Sequence, residues 1–185
     1  MFFSLLVFWL LFSVLASQQA HTALLRDIFP PKALRKLNKD EIVIEEYQTP
    51  TVFFSDIVGY TNLSAELSAI EVIEMLHAFY AMMDTLVDEY GVYKLETVGD
   101  SFMVMGGAPD RCSGPEGAEK VARFAIAAIE MVKDFVAPSG IRIHIRAGLN
   151  SGPLCAGVVG TKKPHYTVFG DTGKIVFLGC TCLIL

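Results

Sequence analysis

Hydrophobic and polar positions along the chain follow two different periods, and together they predict a series of strands and helices. Five of the eight residues 51–58 are apolar and two of these are adjacent phenylalanines, which is typical of a buried strand. Residues 70–90 place an apolar side chain every three or four positions before a glycine, which predicts a long amphipathic helix. Residues 92–98 and 102–105 are predicted to be two further strands, and the Gly99-Asp100 dipeptide between them favours a hairpin turn.

The second half of the pattern adds a helix and two strands. Residues 116–135 have helical spacing and stop before a proline and a glycine. Residues 141–146 alternate strictly between apolar and polar side chains, which indicates a half-exposed strand, and residues 154–159 form another apolar run. The order β-α-β-β-α-β predicts an α+β fold of the ferredoxin-like type, with an antiparallel sheet and helices on one face.

The first residues differ in character from the rest of the chain. Residues 1–25 contain no Asp, Glu, Lys or Arg. The apolar run at their start is short for a membrane span of roughly 20 residues, and the basic residues that open a signal peptide are missing. We interpret residues 1–19 as an apolar segment and leave a membrane anchor, a signal peptide and an inaccurate start of the sequence open. Basic residues between Arg26 and Lys39 would hold the C-terminal side of an anchor in the cytoplasm.

Composition and proline positions divide the remainder into three parts. Residues 20–46 have helical apolar spacing broken by Pro30-Pro31, which predicts a helical linker. Residues 47–172 would form a compact domain, and residues 173–185 an apolar tail. A net charge of −5 and the lack of a basic face argue against nucleic acid as a partner. The four cysteines show no C-x-x-C spacing, so we expect reduced thiols and neither a disulfide framework nor a zinc site.

Two carboxylates stand out because of their places in the predicted strands and turns. Asp56 comes near the end of the first apolar strand, where an unpaired carboxylate would cost several kcal/mol, and Asp100 lies in the hairpin turn. We expect the first strand in the middle of the sheet, beside the strand that follows the first helix, which would bring the two together. Adjacent carboxylates repel unless a cation lies between them, and Mg²⁺ binds through one or two carboxylates. The pair favours a divalent-cation site, although a helix cap and a structural turn explain each residue singly.

The segment Ile57-Val58-Gly59-Tyr60-Thr61 follows Asp56 directly and leads into a helix. Gly59 permits close approach of the backbone to a ligand, and the first free amides of a helix attract anions. We expect Thr61 to be the N-cap of this helix, which would leave Asp56 available for a cation. A pair of cations beside a phosphate-binding turn is typical of enzymes that catalyse reactions at phosphorus.

Four segments resemble, in order, parts of the catalytic domain of class III nucleotidyl cyclases, the guanylate and adenylate cyclases: FFSDIVGYT, KLETVGDSFMV, IRAGLNSGPLCAGVVG and HYTVFGDT. The resemblance runs from about Thr51 to Thr172, and LLRDIFPP before it is similar to the coupling linker of receptor-type members. It implies a cytoplasmic domain that uses two Mg²⁺ or Mn²⁺ ions per site to make a cyclic nucleotide and pyrophosphate from a nucleoside triphosphate. Family domains pair head to tail, which implies a homodimer or pairing with a related cyclase domain.

The resemblance also assigns roles to particular positions. Asp56 and Asp100 match the catalytic, metal-binding aspartates, with the carbonyl of Ile57 as a further ligand. Residues 57–61 match the phosphate-binding turn. Arg146 matches a catalytic arginine that contacts the triphosphate.

Two further positions match the residues that read the base. Glu96 stands where guanylate cyclases have Glu and adenylate cyclases typically Lys, and a carboxylate can accept the N1 and 2-amino hydrogens of guanine. Thr167 stands where guanylate cyclases usually have Cys and many adenylate cyclases have Asp or Thr. We give Glu96 the greater weight, because a bidentate charged contact discriminates more than one hydroxyl. The prediction is a guanylate cyclase that uses GTP, with an adenylate cyclase that uses ATP, or an inactive domain that dimerises or binds nucleotide, as alternatives.

The tail departs from the family pattern after Thr172. Family members continue with an Asn and an Arg that steady the ribose and the α-phosphate, and with a later lysine that binds the terminal phosphates. Lys174 stands at the Asn position and Leu178 at the Arg position. We therefore expect that the chain as written is not a competent cyclase, and that the tail is either a translated retained intron or a genuine short isoform.

Overall fold

The computed structural model describes Trp9, residues 25–26 and residues 28–180, with residues 177–180 described by their backbone. Apart from Trp9, the apolar segment predicted at residues 1–19 lies outside the described residues. Across the described part of the chain, no helix combines the length and the apolar character that crossing a bilayer requires.

The helices and strands of the described residues follow one another in this order: α1 (Pro31–Leu37), β1 (Ile44–Tyr47), β2 (Thr51–Ile57), α2 (Tyr60–Glu66), α3 (Ala69–Tyr90), β3 (Tyr93–Val98), β4 (Ser101–Gly106), α4 (Gly114–Lys133), β5 (Ile145–Ser151), β6 (Leu154–Val159), β7 (His165–Phe169) and α5 (Asp171–Cys180). The predicted α+β class is confirmed. The long helices and the hairpin lie within two residues of their predicted bounds.

The larger sheet has the ferredoxin-like strand order β3-β4-β2-β5. β2 lies in the middle and pairs antiparallel with β4 and β5. The expected neighbour of the first strand was wrong, because β2 lies beside the second strand of the hairpin and β3 is at the sheet edge. A tight hairpin can present only one of its strands to β2. β1, β6 and β7 form a second, three-stranded sheet.

The two long helices supply the core on one face of the larger sheet. Phe79 of α3 and Phe124 of α4 are fully buried together with Phe53 and Phe102 of the sheet. The rings of Phe53 and Phe124 meet edge to face with centroids 5.2 Å apart, and those of Phe102 and Phe124 stack at 6.4 Å. Aromatic pairs of this kind contribute about 0.5–1.5 kcal/mol beyond the area that they bury.

The predicted apolar stripe of α3 was wrong at its start. Ile70 and Ile73 are exposed, whereas Met75 is fully buried in line with Phe79. At about 100° per residue, Ile70 and Ile73 lie on the far side of the helix from Met75. The helix begins with a capping box in which the Ser68 hydroxyl accepts the amide of the third helical residue, whose carboxylate accepts the Ser68 amide.

The strand predicted at residues 141–146 was also wrong in its bounds, because β5 starts at Ile145. The amide of Ala137 donates to the carbonyl of Ile141 at 2.9 Å, and Arg142 makes an isolated bridge with Val136. The first part of the alternating segment therefore pairs back on the residues that precede it. The short elements β1, α2 and β7 were not predicted as separate elements.

Helix α5 packs against β2 and β5. Thr172 and Val176 are buried, and the side-chain amide of Asn150 donates to the Thr172 carbonyl at 3.2 Å. Asn150 pairs with Val52, the neighbour of the core residue Phe53. Side chains alternate along a strand, so α5 lies on the sheet face opposite the two long helices.

The chain divides into two compact units, residues 45–156 with 167–185 and residues 1–44 with 157–166. The larger unit contains the four-stranded sheet. In the smaller unit α1 begins at Pro31, within the predicted Pro30-Pro31 break, and the amide of Val158 donates to the Val43 carbonyl at 3.1 Å. The domain boundaries predicted at residues 20, 47 and 173 stay predictions.

Candidate active site

The end of β2 and the tip of the β3–β4 hairpin lie side by side. Because β2 and β4 pair antiparallel, Ser101 reaches Asp56, and its hydroxyl donates to Asp56 Oδ1 at 3.4 Å. The amide of Ile57 donates to Asp100 Oδ2 at 3.1 Å. The structure therefore places Asp56 and Asp100, which are distant in sequence, in one neighbourhood.

Arg146 faces Asp56 from the other side of β2. The two residues are register partners in the β2–β5 ladder. The guanidinium donates twice to Asp56 Oδ2, from Nε at 2.9 Å and from Nη2 at 2.5 Å. The side chains of Arg146 and Asp56 are 33% and 17% exposed, so the ion pair is partly withdrawn from water. The arginine predicted to contact a triphosphate thus bonds a carboxylate predicted to bind a metal.

The pKa values of the two carboxylates shift in opposite directions. Burial acts to raise the pKa of Asp56, but hydrogen bonds with Asp100 and Arg146 and the charge of Arg146 outweigh it, so that this pKa lies below its usual value. Burial, the hydrogen bond with Asp56 and the charge of Asp56 together raise the pKa of Asp100 to about 6. The two groups repel each other once both are ionised, a condition that a bound cation would relieve.

These side chains line a cavity of about 290 Å³ in the larger unit. Its wall is made of Asp56, Ile57, Gly59, Tyr60, Thr61, Asn62, Asp100 and Arg146. The metal, phosphate and arginine positions predicted from the sequence therefore share one cavity, with the exception of Val58.

The turn after β2 begins a helix earlier than predicted. Gly59 is the N-cap of α2 and adopts φ +72°, a conformation that favours glycine. The predicted N-cap, Thr61, is instead the second residue of the helix, and no side chain caps α2. Asp56 does not cap α2, as expected, because Gly59 occupies the N-cap position.

Two of the amides in the predicted phosphate turn are already engaged inside the protein. The Ile57 amide donates to Asp100, and the Val58 amide donates to the His144 carbonyl at 2.9 Å. The candidates for contacting a phosphate are therefore the amides of residues 59–61.

Asp56 and Asp100 suit a divalent cation that brings other ligands with it. The described residues contain no group of three or more His, Cys, Asp or Glu side chains that could enclose an ion. Mg²⁺ typically binds through one or two carboxylates and completes its shell with water and phosphate oxygens. The Ile57 carbonyl lies next in the chain to Asp56 and is a third candidate ligand. This donor set fits a metal–nucleotide complex better than a structural metal.

A β-bulge sets the direction of Glu96. Lys94 pairs with Val104 and Glu96 with the adjacent Met103, so one extra residue is inserted between them on β3. Lys94 points to the long helices, where its Nζ lies 2.6 Å from a carboxylate oxygen of Asp84 on α3. Since Val104 and Met103 point to opposite sides of the sheet, Glu96 is directed away from those helices.

The two positions that match base-reading residues meet in the fold. Thr167 Oγ1 on β7 donates to Glu96 Oε1 at 3.1 Å. Thr167 is buried, and Glu96 is half-buried. Neither residue lines the cavity of Asp56 and Asp100.

Sequence reasoning missed two polar residues of this site, Ser101 and Asn62. A signal existed for Ser101, because it directly follows Asp100 and an antiparallel pairing would bring it to Asp56. Asn62 lies in the first turn of α2 and lines the cavity.

Residues 42–176 match the model of the adenylate and guanylate cyclase catalytic domain, and the chain belongs to this family. It is 41% identical over 157 residues to the human atrial natriuretic peptide receptor 2, a match that covers 81% of this chain and 14% of the receptor. The chain therefore spans only a small part of the length of the curated relatives that it matches.

Solved structures agree with the family assignment. The guanylate cyclase domain of RhGC from Catenaria anguillulae, in complex with GTP, is similar with a TM-score of 0.70 and 39% identity over 72% of either chain. An atypical dimeric guanylyl cyclase domain of the RhoGC fusion protein from Blastocladiella emersonii has a TM-score of 0.68 and 40% identity, covering 72% of this chain and 74% of the other.

The raised pKa of Asp100 predicts a pH-dependent cost in the metal-free fold. A folded-state pKa of about 6 against the usual 3.8 means that Asp100 favours folding at low pH and that this contribution is lost as pH rises from about 4 to 6. Asn in its place keeps an oxygen for the Ile57 amide and cannot ionise. Asp100→Asn should therefore gain stability relative to the wild type across this window, by about 1 kcal/mol above pH 7 after allowance for solvent screening.

Urea unfolding at several pH values without divalent metal measures this difference. Asp88→Asn, at an exposed carboxylate on α3, is the matched control. A difference between Asp100→Asn and the wild type that stays constant from pH 4 to 8 would contradict the coupling of the two carboxylates.

Proposed function

We propose that this chain carries a guanylate cyclase catalytic domain, which converts GTP into cyclic GMP and pyrophosphate. The ribose 3′-oxygen bonds to the α-phosphorus, the bond from that phosphorus to the departing pyrophosphate oxygen breaks, and the proton of the 3′-hydroxyl passes to bulk water. The observation that carries the proposal is the meeting of Asp56 and Asp100 in one cavity of a cyclase-family domain. The similar domain from Catenaria anguillulae, in complex with GTP, supports the choice of substrate.

Two Mg²⁺ or Mn²⁺ ions would be held by Asp56, Asp100 and the Ile57 carbonyl. When bound, such ions acidify the attacking hydroxyl and neutralise phosphate charge. The carboxylates themselves would position the ions, and the mutual repulsion of Asp56 and Asp100 favours the binding of positive charge.

Arg146 would exchange one anionic partner for another during binding. In the structure its guanidinium compensates Asp56. If Asp56 holds a cation, as proposed, the guanidinium would become available to the triphosphate, for which its forked donors are suited. The amides of residues 59–61 would add uncharged donors to the same phosphates.

Glu96 and Thr167 would select the base. A carboxylate offers about four acceptor sites, so the hydrogen bond from Thr167 leaves Glu96 able to accept the N1 and 2-amino hydrogens of guanine. Adenine lacks this donor pair, and a site built to pair with it rejects the analogue strongly. ATP remains the second candidate substrate because Thr167 provides a hydroxyl at the base.

A second domain is needed to complete each site in this proposal. Glu96 and Asp100 lie on one short hairpin, yet Glu96 does not line the cavity that contains Asp100. In a head-to-tail homodimer, or in a pair with a related cyclase domain, the hairpin of each partner would supply metal ligands to one site and a base reader to the other. The atypical dimer of the Blastocladiella relative supports association, though not this particular arrangement.

We propose the cytoplasm as the place of action, because GTP is available there and the described cysteines Cys112 and Cys155 are free thiols. Residues 1–19 would attach the chain to a membrane, in keeping with the receptor relative.

The tail is proposed to limit turnover. Lys174 stands at the family Asn position, is exposed, and has its Nζ 3.8 Å from Asp171. It therefore places a cation in contact with a neighbouring carboxylate at a position where the family has an amide for the ribose. Activity is best assayed in a version whose residues after Thr172 follow the family pattern, with the unmodified chain beside it.

Loss of Asp56 should abolish cyclisation. In the version with the family-type C-terminus, Asp56→Ala removes a metal ligand and roughly several kcal/mol of transition-state stabilisation. We expect cyclic GMP formation from GTP with Mn²⁺ to fall far below a tenth of the wild type, while urea unfolding stays cooperative. Asp88→Ala, at an exposed position on α3, should retain activity. More than a tenth of wild-type activity in Asp56→Ala would show that Asp56 is not an essential metal ligand.

Glu96 should determine whether the site prefers GTP or ATP. We expect the unmodified site to prefer GTP, Glu96→Lys to weaken GTP use, and Glu96→Lys with Thr167→Asp to favour ATP, because the acceptor for the guanine donor pair is lost. Side-by-side kcat/KM values for GTP and ATP measure this. Equal values for both nucleotides in the unmodified site would refute the weight placed on Glu96.

A further inference from the structure

The tip of the β3–β4 hairpin carries Asp100 and is held by a side chain outside the strands. We propose that Tyr80 of α3 is a positioning residue for Asp100, because its phenol fixes the peptide group that precedes the carboxylate. This inference rests on the proposed function, in which Asp100 binds metal.

The contact is a single short hydrogen bond. The Tyr80 hydroxyl donates to the Gly99 carbonyl oxygen at 2.5 Å. That carbonyl belongs to the peptide group joining Gly99 to Asp100, so the bond fixes the orientation of the Asp100 amide and the start of its side chain. Gly99 adopts φ +63°, a backbone conformation that favours glycine. Glycine has more backbone freedom than any other residue, so a hydrogen bond from outside the turn restricts this position more than it would another residue.

Packing fixes the position of the phenol itself. The Tyr80 ring lies 5.6 Å from the Phe79 ring and 5.9 Å from the Phe102 ring, between centroids. Burial, followed by the charge of Asp100, raises the pKa of Tyr80 to about 12, so the hydroxyl keeps its proton and remains a donor. The ring is thus anchored in the core while its hydroxyl reaches the hairpin tip.

The stem of the hairpin has a separate tie to the same helix. Lys94 Nζ lies 2.6 and 2.8 Å from the two carboxylate oxygens of Asp84, and 5.1 Å from the centroid of the Phe102 ring. α3 therefore holds the stem through Lys94 and the tip through Tyr80. Removal of the phenol oxygen alone should loosen the tip and leave the stem in place.

Tyr80→Phe tests this directly, because it removes only the hydroxyl. Tyr90→Phe is the matched control: Tyr90 lies on the same helix, packs partly buried against the core, and has a hydroxyl with no hydrogen bond to any described residue. The full chain is measured by hydrogen–deuterium exchange of peptides that contain residues 98–101, with α4 peptides as reference, and by Mn²⁺ titration with a non-hydrolysable GTP analogue.

We expect Tyr80→Phe to speed exchange at the hairpin tip and to weaken Mn²⁺ binding, each by about two- to tenfold, the range that one hydrogen bond is worth. Exchange in α4 should be unchanged, and Tyr90→Phe should match the wild type in both measurements. A merely structural role would speed exchange in α4 as well and leave Mn²⁺ binding intact at temperatures where the protein is folded.

Tip exchange and Mn²⁺ affinity that are both unchanged in Tyr80→Phe would overturn the inference while leaving the proposed function standing. The variant Asp56→Ala tests whether the proposed metal centre itself is wrong. If it leaves Mn²⁺ binding unaltered, the metal centre is misplaced, and the positioning role of Tyr80 falls with it.

Discussion

The hydrogen bond from the Ile57 amide to the Asp100 carboxylate joins the two parts of the chain on which the site depends. It lies two positions beyond the last backbone pair of the β2–β4 ladder, Ser55 with Phe102, and connects the end of a buried strand to the tip of a hairpin. Without that pairing, Asp56 and Asp100 would belong to unrelated surfaces, and neither would have the chemistry that the pair has. Strand pairing in the core thus determines where charge is concentrated at the surface.

The charges of Asp56, Asp100 and Arg146 share this small region, and the contacts of the three side chains follow from how each charge is compensated. Asp56 is more deeply placed than Arg146 and is compensated by two guanidinium hydrogen bonds. Asp100 accepts from the Ile57 amide, but burial, the hydrogen bond with Asp56 and the charge of Asp56 outweigh its backbone hydrogen bonds and raise its pKa to about 6. A cation held by both carboxylates, as proposed, would relieve the repulsion between them.

The parts of the fold that could be predicted are those with strong local patterns. β2 and α3 are long and regularly patterned, and their bounds were predicted to within one residue. β1 consists of only four residues with two adjacent glutamates, and β7 is only five residues long, so their pairing depends on distant strands that no local pattern records. The alternation of apolar and polar side chains also predicted a strand at residues 141–144, where the chain instead pairs with the residues just before it.

The identities of the candidate site residues could be predicted from the sequence, whereas the directions of some of their side chains could not. Family resemblance gave Asp56, Asp100, Arg146 and Glu96 by position, and three of these line one cavity. The bulge that turns Glu96 away from Lys94 depends on a one-residue offset in strand register, which sequence periodicity does not reveal.

Anomalous diffraction from crystals grown with Mn²⁺ and a non-hydrolysable GTP analogue would locate the metal directly. We expect manganese density within about 2.0–2.3 Å of carboxylate oxygens from both Asp56 and Asp100, distances normal for a hard divalent cation on oxygen ligands. We also expect Arg146 to have turned from Asp56 to the phosphates. Manganese bound elsewhere, with Arg146 still paired to Asp56 beside a bound nucleotide, would show that Asp56 and Asp100 are not the metal site.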